Sequence, residues 1–354
     1  MHPKLREVDI VKVVVVGATG NVGTALLRRL HAAPEVSWIT GVARRAPDRG
    51  SPPYADVEWR TTDVSRRGST DALVAAMEGA AAVVHLAWLV QPSHHERVLR
   101  ATNVDGTRRV VDAAVRAGVP HLVVASSVGA YATGPKDRTV DERWPTSGVP
   151  ASDYSRHKAL VERMLDDLEA DPGGPLVARL RPGLVFQGEA GSEIGRYFLG
   201  SLLPLGLLGR VPVPVVPLSR QMVFQAVHAD DCAEAYWRVV QARAAGPWNV
   251  AADPPLGPAD LAAAIRGRAV PVPTAVLRAL ARVTWLARVQ PTSPGWVDLA
   301  AAVPVMDTTR IRTELGWRPE RTPHEALQEL VDGLAAGRGT GSTPLRPRRP
   351  AAPR

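Results

Sequence analysis

Runs of consecutive apolar, mostly β-branched residues alternate with amphipathic stretches along the first half of this chain. Residues 13–16 are four valines in a row, which reads as a strand buried on both faces. Residues 21–30 follow with Val22, Ala25, Leu26 and Leu30 at helical spacing. The pair then repeats: strands at 38–43, 57–62, 81–87 and 121–125, and helices at 70–77, 96–117 and 152–168, the last carrying Leu160, Val161, Met164, Leu165 and Leu168. Residues 179–186 read as a further strand and its exit. This alternation predicts an α/β fold with a doubly wound parallel sheet and right-handed crossovers, its ligands lying beyond the carboxyl ends of the strands.

The first strand-to-helix junction reads Gly17-Ala18-Thr19-Gly20-Asn21-Val22-Gly23. Glycines in this spacing let the backbone approach a pyrophosphate, and the following helix adds the positive end of its dipole. The junction predicts a Rossmann-type dinucleotide site, with Gly17, Thr19, Gly20, Asn21, Val22 and Gly23 against the phosphates. At the end of the second strand stand Arg44 and Arg45, where an acidic residue would serve an adenosine ribose and an arginine a 2′-phosphate, so NADP is favoured over NAD. Asp63 at the third strand end could meet the adenine amino group or only cap the helix after it.

Composition narrows this picture without redirecting it. A length of 354 residues with 45% hydrophobic content suits one large α/β unit or two lobes. The single cysteine, Cys232, allows no intramolecular disulfide and fits a reducing, cytoplasmic setting. The formal net charge is +8, but Arg338, Arg346, Arg348, Arg349 and Arg354 all follow residue 335 with no acidic residue among them. The excess charge is therefore mainly that of a Gly-, Pro-, Ser- and Thr-rich tail, expected to be a disordered, solvated end rather than a nucleic-acid arm. No secretory pattern opens the chain, and the longest apolar stretch, 199–218, carries Arg210 and four prolines, which makes a poor membrane-spanning helix. The spacing of histidines and the lone cysteine predicts no metal site.

Candidate chemistry lies at Tyr154 and Lys158, four residues apart and so neighbours on one helix face. An ammonium beside a phenol favours the phenolate and brings it toward the working range of an acid/base group. A serine at a nearby strand end, Ser126 or Ser127, could hold a carbonyl oxygen for that proton transfer.

Together these motifs resemble the extended short-chain dehydrogenase/reductases, the branch that includes NAD-dependent epimerases and dehydratases. The resemblance runs in order through the Gly17 loop, Asp63-Val64, His85-Leu86-Ala87, Asn103 with Gly106-Thr107, Ser126-Ser127 with Tyr131, Tyr154 and Lys158, Arg181-Pro182-Gly183, residues 227–231, and Leu315-Gly316-Trp317 with Pro319. It implies Tyr154 as proton donor or acceptor, Lys158 as its modulator and a ligand of the nicotinamide ribose, and Ser127 as the group orienting the substrate oxygen. It implies Asn103 as support for Lys158, and Val64, Leu86, Ala87, Pro182 and Gly183 along the cofactor. A homodimer through a helix pair including the Tyr154 helix is also implied.

The expected division is a core over 1–183, a substrate lobe over 184–334 from which 223–251 returns to the core, and a tail over 335–354. The expected activity is an NAD(P)-dependent oxidoreductase acting on a small carbonyl or hydroxyl compound. A nucleotide-sugar epimerase or dehydratase is the alternative, and a silent dinucleotide sensor comes third. Sugar-nucleotide members of the branch commonly place an asparagine after the Arg-Pro-Gly element and an arginine ahead of the Val-His segment. Here those neighbourhoods read Leu184-Val185-Phe186-Gln187 and Phe224-Gln225-Ala226.

Overall fold

The computed structural model describes residues 12–195, 213–290 and 292–348; residues 199–212 of the apolar stretch and Arg349 and Arg354 lie outside them. In chain order the first half runs β1 (Lys12–Val16), α1 (Asn21–His31), β2 (Trp38–Ala43), β3 (Glu58–Thr61), α2 (Thr70–Met77), β4 (Ala82–His85), α3 (Glu96–Asn103), α4 (Asp105–Arg116), β5 (His121–Ala125), a short β6 (Thr139–Val140), α5 (Asp153–Glu169) and β7 (Leu176–Pro182). The second half adds β8 (Leu184–Phe186), α6 (Gly191–Ile194), β9 (Val216–Leu218), β10 (Ala226–His228), α7 (Ala229–Gln241) and β11 (Gly246–Val250). It ends with α8 (Pro258–Ala264), β12 (Ala269–Pro271), α9 (Thr274–Leu286), α10 (Pro294–Ala302), β13 (Val305–Met306), α11 (Thr309–Glu314) and α12 (Pro323–Ala336).

Seven strands form one parallel sheet in the order β11-β7-β5-β4-β1-β2-β3. The chain reverses direction across the sheet between β1 and β4, which opens a crevice at their carboxyl ends. Valines 13 to 16 are at most 1% exposed because helices cover both faces. On one face α1 and α7 pack over Val13 and Val15; on the other, α2, α4 and α5 pack over Val14 and Val16. The expected helix over 96–117 is two helices, since the backbone turns at Val104, where Asn103 ends α3.

The lobe beyond β7 is assembled from two-stranded parallel pairs, β8 with β10, β9 with β12, and β6 with β13. α9 lies against α10, and α12 covers β10 and α6. The tail expected to be disordered is instead held by specific bonds through Arg348. Gly337 closes α12 in the left-handed conformation, and the chain doubles back so that Ser342 and Leu345 are buried. Side-chain-to-backbone bonds hold it, so it needs none of the apolar periodicity that the sequence lacks there.

The junction after β1 depends on missing side chains. Gly17 has a φ of 93°, and a Cβ there would stand 2.5 Å from the Ala87 nitrogen. A Cβ on Gly23 would stand 2.4 Å from the Gly17 carbonyl oxygen, whereas one on Gly20 would meet nothing closer than 3.6 Å. Thermal unfolding should separate the two: Gly23→Ala is expected to lose about 3 kcal/mol or more through forced backbone displacement, and Gly20→Ala to melt as the parent does. Equal melting of all three proteins would refute the close-packing account.

Candidate active site

The crevice beyond β1 and β4 is a cleft of about 300 Å³. Gly17, Thr19, Gly20, Arg44, Arg45, Val64, Leu86 and Ala87 line it, joined by Trp88. A second cleft, lined by Arg44, Arg45, Asp63 and Arg66, continues along the ends of β2 and β3. Its volume is about 680 Å³. The remaining residues expected along a cofactor lie elsewhere. Asn21 donates from its amide to the Val185 carbonyl at 2.9 Å, which ties α1 to β8, and Val22 packs against the core. Gly183 is required because β10 runs so close that a Cβ would stand 2.4 Å from the Gln225 carbonyl oxygen. Pro182 closes β7 beside Val250 of β11. Asp63 accepts from the Ser65 N–H at 2.9 Å and its hydroxyl at 2.7 Å, which closes a local turn; it caps no helix, since Ser69 stands at the N-cap of α2.

The lining fits a dinucleotide on three observations. No side chain caps α1 and its first turn carries no acidic residue, so no group of its own element claims its N–H groups; Glu193 is the acidic residue in the cleft lining. The space beside Gly20 is open rather than filled by protein. The Trp88 Nε1 is buried and has no hydrogen-bond partner among the described residues.

Tyr154 and Lys158 project from the first two turns of α5, whose N-cap Ser152 accepts from the Ser155 N–H. Gly129 leaves room for the phenol, since a Cβ there would be 2.8 Å from Tyr154 Cε1. Burial pushes the Tyr154 phenol up to about 12, with a hydrogen bond from Ser127 acting the other way. Lys158 is 2% exposed, donates to the Ala125 carbonyl at 2.7 Å, and lies 3.4 Å from the centre of the Trp88 ring. Burial holds its ammonium down to about 7, against the opposing charge of Glu162. The expected lowering of the Tyr154 pKa by Lys158 is therefore not found: the lysine faces the Trp88 indole and a carbonyl, and dry surroundings dominate both groups.

The two serines divide their roles. Ser126 donates to the buried Glu162 carboxylate, while Ser127 accepts only the Gly129 N–H at 3.0 Å on the Tyr154 side. Asn103, expected to support Lys158, instead grips the backbone of Leu89. It accepts the Leu89 N–H at 2.7 Å and donates to the Leu89 carbonyl at 2.9 Å. Its amide oxygen and nitrogen are each engaged by that loop, which carries the cleft wall after β4.

Trp88 and Trp296, which the sequence reading passed over as site residues, flank Tyr154 with ring centres 5.9 and 5.3 Å from it. Trp88 directly follows the His85-Leu86-Ala87 motif, and that adjacency was the available signal. Glu162, one helical turn beyond Lys158, was also missed. It is fully buried and receives Arg181 at 2.7 Å and Arg179 at 3.2 Å.

The model of the NAD dependent epimerase/dehydratase family matches residues 13–251. An uncharacterised protein of Mycobacterium tuberculosis is 29% identical over 341 residues, which is 95% of this chain; the chain spans about a third (32%) of that relative's length. The sterol-4-alpha-carboxylate 3-dehydrogenase, decarboxylating, of Saccharomyces cerevisiae is 30% identical over 187 residues, 49% of this chain and 51% of that one. Among solved structures, the dTDP-glucose 4,6-dehydratase DesIV of Streptomyces venezuelae with NAD bound superposes with a TM-score of 0.69 at 20% identity, over 95% of this chain and all (100%) of its own. The matched span takes in every strand of the main sheet, and the chain belongs to the NAD dependent epimerase/dehydratase family.

Proposed function

We propose that this chain is an NADP-preferring oxidoreductase for an apolar carbonyl or secondary-alcohol substrate, with Tyr154 as the acid/base group. The observation that carries this reading is the convergence of Ser127, Tyr154 and Lys158 beside a cleft whose helix end, open glycine and unpaired indole N–H suit a dinucleotide. When bound, the nicotinamide supplies or takes the hydride. In the reducing direction the Tyr154 phenol gives its proton to the substrate oxygen held by the Ser127 hydroxyl. In the oxidising direction Tyr154 receives that proton. Lys158, once charged, stabilises the phenolate and reaches the ribose. The N–H groups of Thr19, Asn21 and Val22 hold the pyrophosphate, Gly17 and Gly20 shape the turn with their own N–H groups bonded to the carbonyls of Val42 and Gly17, and Arg44 and Arg45 meet the 2′-phosphate.

An apolar substrate is read from the Trp88 and Trp296 rings on either side of Tyr154. The space beside Tyr154 is of mixed character, lined by Leu89, Val90, Pro92 and Trp296 and also by Gln91, Asn103, Asp153 and His157. The amides at the positions where a sugar diphosphate would be gripped are occupied: Gln187 donates to the Asn21 carbonyl at 2.9 Å, and Gln225 exchanges bonds of 2.7 and 3.0 Å with the Met306 backbone. Lys136 is half-buried, donates to the carbonyls of Val223 and Ala300, and is held down to about 8 by its partial burial. The relative named for a sterol carboxylate, matched over about half of each chain, supports the same substrate chemistry. A homodimer through a helix pair that includes α5 and a cytoplasmic setting complete the reading; among the described residues no helix is long and apolar enough to cross a membrane.

Following NADPH fluorescence against ketones, aldehydes and sugar nucleotides tests the activity. Stoichiometric oxidation is expected with an apolar carbonyl compound, and Tyr154→Phe should lower kcat by about 10²–10⁴-fold with dinucleotide affinity kept. Sugar conversion without net loss of NADPH would overturn it in favour of the epimerase alternative. Arg44→Ala is expected to weaken NADP about tenfold while leaving NAD unchanged, by loss of a charge-assisted bond; equal weakening of both would remove the 2′-phosphate assignment.

The depressed Lys158 sets a pH dependence in the ligand-free protein. Its native pKa near 7 lies below the ordinary 10.5, so between those values the unfolded chain holds a proton that the native chain lacks, and native stability rises with pH. Comparing Tm of the parent and Lys158→Met from pH 6 to 10, the parent should gain on the variant as pH rises through that window. A difference that stays constant would show that Lys158 keeps its proton when buried.

A further inference from the structure

The segment 338–348 lies beyond the family match, which ends at residue 251, yet it reaches the most family-specific part of the molecule. Ser342 donates its hydroxyl to the Thr19 carbonyl at 2.9 Å, a buried bond across the whole length of the chain. The other side of the same peptide link, the Gly20 N–H, is held by the Gly17 carbonyl at 3.2 Å. The Thr19–Gly20 peptide, in the middle of the glycine loop, is thus fixed at both its polar atoms. Next along the segment, Thr343 and Pro344 line the cleft together with Gly17, Gly20 and Arg45.

Bonds that do not involve the cleft secure the segment on either side. Thr340 shares a hydrogen bond of 2.7 Å with the Tyr54 hydroxyl, which in turn meets Thr24 of α1 at 3.0 Å. The Asp48 N–H donates to the Gly341 carbonyl at 2.9 Å. The segment also closes on itself, with Thr340 N–H to the Leu345 carbonyl at 2.7 Å and Arg348 N–H to the Gly337 carbonyl at 3.0 Å. Leu345 is fully buried inside the loop so formed. A loop with a buried apolar anchor, a hydroxyl on the pyrophosphate turn and two residues in the cleft wall is a built part of the site. Its Gly- and Pro-rich composition lets it take this path without a helix or strand.

We propose that residues 338–348 form a latch over the dinucleotide: they rigidify the pyrophosphate loop from outside, add Thr343 and Pro344 to the wall that faces the phosphates, and must lift before the cofactor leaves. This rests on the reading of the cleft as a dinucleotide site. Because the loop is fixed before the ligand arrives, the ordering cost of binding falls, and because the segment covers the ligand, release slows.

NADPH and NADH affinities and dissociation rates, from fluorescence titration and stopped flow, are compared for the full chain, Ser342→Ala and a chain ending at Gly337, with Tm as the folding control. The expected result is dissociation about tenfold faster without the segment and a smaller change in the same direction, about threefold, for Ser342→Ala. Affinity unchanged in a shortened chain that melts normally would overturn the latch and leave the cofactor site standing, whereas no binding by the full chain would overturn the cofactor site itself. Tighter binding by the shortened chain would show that the segment competes with the cofactor, which also overturns the proposal. Amide hydrogen exchange on the full chain decides the matter even where the shortened chain does not fold: exchange over 338–348 should slow when NADPH is added, and faster exchange would mean displacement.

Discussion

A carboxylate with no access to water holds this site together. Glu162 is buried on α5, and burial alone would drive its carboxyl toward the neutral acid; the Arg181 fork and the Arg179 charge overcome that and hold its pKa below the usual range. Both arginines come from β7, so the network binds the helix that carries Tyr154 and Lys158 to the strand lying between β5 and the edge strand β11. Ser126 at the end of β5 donates to the same carboxylate, which brings the next residue, Ser127, to the phenol. Arg181 also donates to the Tyr131 hydroxyl at 3.0 Å, and Tyr131 to Asn249 of β11 at 2.7 Å. Removing one partner from such a buried set leaves uncompensated charge, at a cost of about 3–5 kcal/mol. The relative placement of serine, tyrosine and lysine is a consequence of that electrostatic requirement.

Dryness has a second effect one turn away. Tyr154 and Lys158 share the surroundings of Trp88, and burial raises the phenol pKa while lowering that of the ammonium. In the ligand-free protein both groups are pushed toward their neutral forms. A phenol that keeps its proton is suited to donate it to a carbonyl. A phenolate needs Lys158 charged, so anything that raises the Lys158 pKa also favours the oxidising direction, and an added negative charge near the lysine would do so.

The sheet was legible because its central strands, β1, β4 and β5, are buried on both faces: valines 13 to 16 and residues 82–85 and 121–124 are all buried. The glycine loop was legible because close backbone approach excludes every other residue at Gly17 and Gly23. Ser127, Tyr154 and Lys158 were readable as candidates by type and spacing. Their electrostatics were not, since Trp88 and Glu162 act from positions that local spacing does not connect to them. Asn103 misled for a related reason: its motif identifies the residue but not the partner, and its amide finds Leu89. The tail misled most, because low hydrophobicity is a fair sign of disorder only where polar side chains lack fixed partners, and Ser342 and Thr340 have theirs 323 and 286 residues away in sequence.

The two halves of the cleft are recognised by different physics. Phosphates need charge and N–H groups, and the dinucleotide end offers an uncapped helix, Arg44 and Arg45 in a polar setting. The end beyond Tyr154 offers aromatic rings, while Gln187, Gln225 and Lys136 are each engaged by protein groups. Releasing a buried amide or a half-buried ammonium from a carbonyl to greet a ligand leaves that carbonyl unpaired, so these groups are poorly placed to reward a charged substrate. On the function proposed above, an apolar ligand would ask for no such exchange: its affinity would come from surface removed from water against Trp296 and Leu89, and its oxygen would be met by Ser127 and Tyr154 among the other polar side chains that line this end.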